Sequence, residues 1–181
     1  MDLLPAYCTL LVHFDPVTAS LDAVIRAANS ALAAGLSSSP GDSRLRQVPV
    51  VYGGEYGPDL PRVAESLGLS EEEVVRRHSG AEYLVCFLGF APGHPYVVGL
   101  PPELAMPRRP TPRELVPSGA VTIANQTNVY GVPNPTGWWW IGRTHVKMFD
   151  PAAESPTFLI PGDRLRFVPV AAEEFLTLAA R

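Results

Sequence analysis

The chain has 181 residues and a formal net charge of −4 at neutral pH, so it is long enough for one large domain or two small ones. Its acidic balance argues against nucleic acid as the main partner, because a phosphate backbone is bound by a basic surface. It has no charged-then-apolar leader and no apolar run of about 18 residues, which predicts a cytoplasmic chain without a membrane span.

The two cysteines give no sign of a metal site. Cys8 and Cys86 each lie in an apolar, strand-like run, which favours buried free thiols. No Cys and His residues stand at the spacing typical of metal ligands. We therefore expect no bound metal.

Two strands and a helix are predicted in the first 52 residues. Residues 6–14 alternate in the manner of a strand. A helix follows, capped by Thr18 or Ser20, because apolar side chains recur at helical spacing: Leu21, Val24, Ile25, Ala28 and Leu32. A loop is expected over residues 37–43. In the second strand, residues 46–52, Pro49 indicates an edge or a bulge.

A glycine-rich turn, YGGEYGPDL, precedes the next helix. Such a turn can cradle phosphate with its free N–H groups, but acidic residues stand in it and neither common nucleotide-binding spacing is present. We expect a structural turn in which Asp59 caps a short helix that ends at Gly68. Ser70 and Glu73 then form a capping box for another helix. His78 near its end is interpreted as a terminal residue that suits the helix dipole.

The rest of the chain is predicted to be mainly β-structure. Residues 83–90 are continuously apolar and fit a central strand. Short β runs follow, separated by Pro, Gly and Asn turns, at 119–125, 137–146, 157–160 and 164–170, and a short terminal helix comes last. This pattern is typical of a barrel or sandwich. We predict an α+β domain over residues 1–82 and an all-β domain over residues 83–181.

His94 is the first candidate for chemistry. It stands in APGHPY, where Pro92, Gly93 and Pro95 restrict the backbone beside Tyr96. A histidine presented in this way can act as an acid, a base or a ligand contact. The alternative is structural: a hydrogen bond from the imidazole that holds the turn.

A run of polar side chains, NQTNVYG, supplies the candidate substrate contacts Asn125, Gln126, Thr127 and Tyr130. Amide side chains suit the recognition of another amide or of a carboxylate, and buried amides need partners. An Asx-rich turn that closes a hairpin explains the same residues equally well. Both interpretations stay open.

The strand after Trp138 brings together cation-capable side chains. Alternation places Arg143, His145 and Lys147 on one face, where they repel one another unless solvent or an anion is present. Lys147 is also the only lysine in the chain, and its compact ammonium titrates when desolvated. Residues 106–147 carry five basic residues against one acid, so a small anionic ligand is expected here.

Several motifs, in order, resemble the family of 5-oxoprolinase B subunits, also called allophanate hydrolase subunit 1, which includes the kinase inhibitor KipI. They are YGGEYGPDL, LSEEEVVRRHSGAEY, FLGFAPGHPY, GLPPELAMPRRPTPRELVPSGAVTIANQTNVYG, GWWWIGRT, FDP and PGDRLRFVPV. The resemblance covers essentially the whole chain. It implies a DCoH-like α+β domain followed by a cyclophilin-like β-barrel.

The resemblance also implies an activity and partners. Together with a KipA-like C subunit and with an A subunit, such a chain would form an ATP-dependent enzyme, using Mg²⁺, that opens 5-oxoproline to glutamate. Arg143 would bind a carboxylate or a phosphorylated intermediate, the run from Asn125 to Thr127 would hold the amide, and Lys147 or His94 would handle charge or proton transfer. The rival interpretations are a KipI-like inhibitor of a sensor histidine kinase, docking through exposed tryptophans, and a carboxyltransferase component of a urea carboxylase.

The sequence departs from this family in two places. Family members usually begin with a further strand and helix, so the α+β domain is expected to be shortened. They often have an aromatic residue where His94 stands, which weakens the prediction of a catalytic role for this histidine.

Overall fold

The computed structural model of the chain describes residues 2–34 and 43–179. Its contacts divide the chain into two compact units, Met1–Ser43 and Arg44–Arg181. Residues 37–42 of the predicted loop lie outside the described residues.

The first unit is a β-hairpin followed by a helix. Strand β1 (Asp2–Pro5) pairs antiparallel with β2 (Leu10–His13), and α1 spans Leu21–Ala33. Ser20 caps the helix, since its side-chain oxygen accepts the N–H of Ala23 at 3.3 Å. The predicted helix is confirmed, whereas residues 6–9 of the predicted strand form the hairpin turn. None of residues 2–34 is buried.

The prediction of two buried thiols is wrong. Cys8 lies in the hairpin turn and is exposed, and Cys86 is half-buried. Both are free. The apolar neighbours of Cys8 suggested a buried strand, but in this unit they are exposed as well.

The second unit is rich in short strands. Their bounds are β3 Leu45–Tyr52, β4 Tyr83–Leu88, β5 Pro95–Val98, β6 Arg113–Val116, β7 Ala120–Ile123, β8 Thr127–Val129, β9 Asn134–Thr136, β10 Trp139–Arg143 and β11 Arg164–Pro169. Seven form one sheet in the order β5-β4-β11-β3-β10-β7-β8, while β6 pairs with β9. Within the large sheet only β3 and β11 run parallel. The edge strands β5 and β8 contact each other, which makes the sheet a nearly closed barrel.

Two helices pack against this barrel. Helix α2 (Leu60–Leu67) contacts β10, and α3 (Glu71–Gly80) contacts β11. Gly68 ends α2 at a φ of 65°, as predicted. One half of the predicted capping box is present, since the Ser70 hydroxyl accepts the Glu73 N–H at 3.2 Å, whereas the Glu73 carboxylate binds Arg76 and Arg77. The core between the helices and the sheet includes Val48, Val50, Val63, Val74, Tyr83, Val85, Ile141, Leu165 and Phe167.

The α+β fold class with a β-barrel is confirmed. The boundary between the two units lies at a different residue from the predicted domain boundary. The prediction divided the chain after residue 82, whereas the contacts divide it after Ser43. Strand β3 lies between β11 and β10 and so belongs to the barrel. Pro49 therefore stands in an interior strand, not at an edge. It is tolerated because β10 pairs only with Val51 and Tyr52.

The end of the chain follows the prediction in part. Residues 157–160 form no named strand; only Thr157 makes an isolated bridge, to Phe149. The terminal helix is present as α4, Ala172–Ala179. None of the described helices is long and apolar enough to cross a membrane.

Candidate functional site

A cavity of about 300 Å³ lies where β10 ends. It is lined by Ser118, Arg143, Thr144, His145, Val146, Lys147, Phe175 and Ala179. Two of the predicted catalytic residues, Arg143 and Lys147, thus share one cavity. The strand after Trp138 was expected to continue to residue 146, but it stops at Arg143 and a loop carries the other two cation-capable residues.

Local backbone contacts fix this loop. The register between β10 and β7 shifts between Trp140 and Gly142, which is a β-bulge that re-aims the end of the strand. The Thr144 N–H then donates to Gly119 O at 2.9 Å, and the Thr144 hydroxyl accepts the Val146 N–H at 3.1 Å. Gly119 has a φ of 82°, and a Cβ there would lie 2.1 Å from Thr144 O, so glycine is required at this position.

The walls of the cavity are basic. Arg143 donates through Nε to Ser118 O at 3.2 Å, and no described carboxylate forms an ion pair with it. Lys147 Nζ lies 3.6 Å from Asp150 and is 79% exposed, so it stands at the rim. None of the described Asp and Glu residues lines the cavity. An anion is therefore the ligand class that this cavity favours.

His145 and α4 complete the wall. The rings of His145 and Phe175 meet edge-on with centroids 6.0 Å apart, and Phe175 also contacts Tyr56 at 5.0 Å. Nδ1 of His145 is enclosed, and within the described part of the chain no group hydrogen-bonds to it. Such an atom destabilises the structure until a partner reaches it. The sequence predicted His145 only as part of a cationic strand face and did not predict its contact with Phe175.

His94 lies outside this cavity. It is 3% exposed, and three aromatic rings surround it edge-on: Tyr130 at 4.9 Å, Phe90 at 5.3 Å and Tyr96 at 5.4 Å between centroids. Burial lowers the pKa of His94 to about 4, so the imidazole is neutral at neutral pH. Among the described residues its Nδ1 has no hydrogen-bond partner. The structure therefore does not show the turn-holding hydrogen bond offered as the alternative role.

Tyr130 connects His94 to the same end of the barrel as Arg143. Its hydroxyl donates to Thr136 Oγ1 at 2.7 Å, and burial raises its pKa. Its N–H donates to Ala120 O at 2.9 Å, and Ala120 is the register partner of Arg143. The ring of Tyr130 thus contacts His94, while its backbone bonds to the strand that pairs with Arg143.

The polar run from Asn125 to Thr127 lies at the other end of β7. Ile123 pairs with Thr127 across the hairpin, and Ile123 is also the register partner of Trp139. Since a strand advances about 3.3 Å per residue, this turn is about 10 Å or more from Arg143 along the sheet. Asn125 is exposed, while Gln126 Oε1 is buried with no partner among the described residues. The run connects the paired strands β7 and β8, and the structure does not bring it next to Arg143.

The glycine-rich turn before α2 is structural, as predicted. Gly53 N donates to Ile141 O at 3.1 Å and Asp59 N donates to Trp140 O at 3.0 Å, so these N–H groups are not free for a phosphate. A Cβ on Gly57 would lie 2.1 Å from Ile141 O. The turn therefore docks onto β10 through its backbone.

Asp59 does not cap α2 with its side chain, which corrects the prediction. The carboxylate is 4% exposed and accepts from Arg109 Nη1 at 2.6 Å, from Arg113 Nη2 at 2.6 Å and Nε at 3.0 Å, and from Trp140 N at 2.9 Å. Two of the five basic residues in this region thereby share one carboxylate, which offsets one of their two charges. These contacts tie the start of α2 to the barrel.

The three tryptophans are half-buried. Arginine guanidinium groups lie over their rings: Arg108 over Trp138 at 6.0 Å, Arg109 over Trp139 at 5.1 Å and Arg113 over Trp140 at 6.0 Å. The expectation of exposed tryptophan anchors is therefore wrong. Trp139 and Trp140 also pack against the buried clusters of the barrel unit.

Comparison with known proteins places this geometry in a family. Residues 1–159 match the family model described as carboxyltransferase domain, subdomain C and D. The 5-oxoprolinase B subunit from Escherichia coli is 54% identical over 129 residues, which are 71% of this chain and 59% of that protein. The protein of the same name from Bacillus subtilis is 37% identical, over 97% of this chain and 78% of that protein.

A solved structure shares the fold. The conserved uncharacterized protein PH0987 from Pyrococcus horikoshii is 41% identical, with a TM-score of 0.71 over 97% of this chain and 81% of that chain. The fold that carries the cavity is thus also found in a solved structure.

Proposed function

The chain belongs to the carboxyltransferase domain, subdomain C and D, family, and we propose that it acts as the B subunit of an ATP-dependent 5-oxoprolinase. The observation that carries this proposal is the 54% identity to the Escherichia coli protein of that name. The reaction is the opening of the ring amide of 5-oxo-L-proline to L-glutamate. The chain spans 59% of the length of that relative, so the activity of the whole protein is inferred from the matched part.

The cavity supports this proposal through its charge. 5-Oxoproline carries a carboxylate, and the planar fork of a guanidinium matches a carboxylate with two parallel hydrogen bonds. Arg143 has its Nη atoms clear of any described carboxylate. We assign the binding of the substrate carboxylate or of a phosphorylated intermediate to Arg143.

Lys147 is the better candidate than His94 for charge or proton transfer. Lys147 stands at the rim of the cavity, 79% exposed, where it can approach a ligand. His94 is 3% exposed, and aromatic rings surround it outside the cavity. A group that transfers a proton must come within hydrogen-bonding reach of the reacting atom.

The amide-binding role of Asn125, Gln126 and Thr127 remains a prediction. Their turn lies at the opposite end of β7 from Arg143. The Thr127 hydroxyl is already engaged, donating to Thr122 O at 3.0 Å. One small ligand would therefore contact either this turn or Arg143, and Gln126 is the residue of the run whose Oε1 still needs a partner.

The proposal assigns the nucleotide site to the partner subunits. Two cavities among the described residues, of about 300 and 430 Å³, have no glycine-rich phosphate loop in their walls. No group of three or more His, Cys, Asp or Glu residues within the described ranges could hold a metal ion. We therefore place ATP and Mg²⁺ on the proposed partners, two proteins that resemble the C and A subunits of such an enzyme, in a cytoplasmic complex.

The KipI-like alternative receives less support. It needs a docking surface with exposed aromatic anchors, and the tryptophans lie beneath arginines. The carboxyltransferase alternative needs a biotin-bearing partner.

Reconstitution of the chain with the A and C subunits tests the proposal. We expect ATP hydrolysis that 5-oxoproline stimulates, with glutamate and phosphate formed in equal amounts. A complex that assembles, as measured by size-exclusion chromatography, but shows no stimulation contradicts the proposed function. Inhibition of a sensor kinase by the same preparation would favour the KipI-like alternative.

A further inference from the structure

The cavity at the end of β10 offers more donors than a carboxylate can use. One guanidinium fork satisfies both oxygens of a carboxylate. The same cavity is lined by His145 and Lys147 in addition to Arg143. We propose that this cavity binds a phosphoryl group, with Arg143 and His145 as its contacts and Lys147 at the rim.

The number of oxygens favours this ligand. A phosphoryl group has three terminal oxygens and accepts hydrogen bonds in three directions. Arg143 can bind two of them, which leaves the third for the imidazole of His145. No described group is hydrogen-bonded to the imidazole of His145, so it has unused hydrogen-bonding capacity. Because Nδ1 is enclosed, a ligand in the cavity meets Nε2 unless the ring turns.

Charge leads to the same ligand. A phosphoryl group carries about −1.5 to −2 at neutral pH, which is more than the single charge of a carboxylate. Arg143 has no described counter-ion, and no acidic side chain from the described ranges lines the cavity. Asp150 lies 3.6 Å from Lys147 and offsets part of its charge at the rim. The uncompensated positive charge of the cavity therefore comes mainly from Arg143, and Lys147 adds a smaller part.

The size of the cavity limits what the phosphoryl group is attached to. About 300 Å³ holds a small phosphorylated compound or phosphate itself and is at the lower end of ligand pockets. Val146, Phe175 and Ala179 supply an apolar part of the wall. This inference rests on the proposed function for the identity of the compound: an acyl phosphate derived from 5-oxoproline, or the inorganic phosphate released from it.

Binding to the chain alone, without ATP or partner proteins, tests the inference. Isothermal titration with inorganic phosphate, acetyl phosphate and acetate compares the three anions. We expect inorganic phosphate and acetyl phosphate to bind at least about tenfold more tightly than acetate. The reason is that one additional hydrogen bond to a charged group raises the affinity by about a factor of ten. Tighter binding of acetyl phosphate identifies an acyl phosphate as the ligand, and tighter binding of phosphate identifies the released product.

Variants of His145 separate its contact from its packing. His145→Phe keeps a ring against Phe175 but removes both nitrogens, and it should weaken phosphate binding about tenfold while leaving acetate binding unchanged. His145→Asn places an amide near the position of Nδ1, and His145→Gln places one near the position of Nε2. The variant that restores phosphate binding identifies which ring nitrogen donates. His13→Phe, at an exposed histidine of the first unit, is the matched control.

Two results would overturn the inference: equal affinities for phosphate and acetate, or phosphate binding that is unchanged in His145→Phe. Thermal unfolding of each variant shows whether lost binding reflects lost structure. Phosphate binding without 5-oxoproline-stimulated turnover in an assembled complex contradicts the proposed function and leaves the phosphoryl site standing.

Discussion

His78 Nε2 lies 2.8 Å from Thr127 Oγ1, inside the barrel unit. The Thr127 hydroxyl donates its own hydrogen to Thr122 O at 3.0 Å, so it must accept from His78, and Nε2 therefore carries the proton. Nδ1 then accepts from the hydroxyl of Tyr52 at 2.8 Å. These bonds connect β3, α3 and the β7–β8 hairpin through one neutral imidazole.

Replacing this histidine should destabilise the fold strongly. His78→Leu removes both bonds and leaves the buried hydroxyl of Thr127 without its donor, and unsatisfied buried groups cost about 1–3 kcal/mol each. We expect a loss of about 3 kcal/mol in the free energy of unfolding, measured by urea denaturation. His13→Leu, at an exposed position, should stay within about 0.5 kcal/mol. Equal effects of the two substitutions would show that the hydrogen bonds of His78 contribute nothing to the free energy of unfolding.

The sequence could not reveal these two hydrogen bonds of His78. Its charged helical turn, SEEEVVRRH, made His78 look like a terminal residue that suits the dipole, and the local prediction of α3 was correct. The partner Thr127 lies 49 residues further along the chain, and only the closed barrel brings the two together. Asp59 was misjudged for the same reason, since its arginines come 50 and 54 residues later.

Features that depend on neighbouring residues were predicted better. Arg143 and Lys147 share a cavity because only three residues of one loop lie between them. The strand alternation that first grouped them ends at Arg143, yet the loop keeps the grouping. Strands of three residues, β8 and β9, were missed, because their extended form depends on pairing with β7 and β6.

Acid should destabilise the protein through its buried histidines. Burial lowers the pKa of His78 to about 3 and that of His94 to about 4, whereas an unfolded histidine titrates near 6.5. Between these values the unfolded state binds more protons, so stability is fully present above about pH 6.5 and falls as the pH drops. Each histidine contributes at most about 1.4 kcal/mol per pH unit.

His94→Phe tests this contribution, because it keeps an aromatic ring among Phe90, Tyr96 and Tyr130. Urea denaturation at pH 7, 6 and 5 should show a shallower loss of stability for the variant than for the unmodified chain. Carboxylates affect both proteins alike, so the difference between the slopes reports His94. Parallel slopes would mean that His94 becomes protonated as easily in the folded state as in the unfolded state.

The buried carboxylate of Asp59 should be needed for the unit to fold stably. Asp59→Asn keeps the shape but leaves Arg109 and Arg113 without a counter-charge in a half-buried setting. Breaking such a pair costs about 3–5 kcal/mol. Chemical denaturation with tryptophan fluorescence measures this loss. Glu65→Gln breaks an exposed pair with Arg62 and should change stability by less than about 1 kcal/mol.

Arg143 should matter for turnover and not for stability. Its guanidinium forms no described ion pair and donates only one hydrogen bond, through Nε to Ser118 O, in the structure. In the complex with the A and C subunits, Arg143→Ala should lower kcat/KM for 5-oxoproline about 100-fold, the effect of losing two charge-assisted hydrogen bonds. Arg143→Lys should recover only part of this, because an ammonium cannot supply the planar fork. Arg62→Ala is the matched control, and a normal rate in assembled Arg143→Ala complex would remove Arg143 from the site.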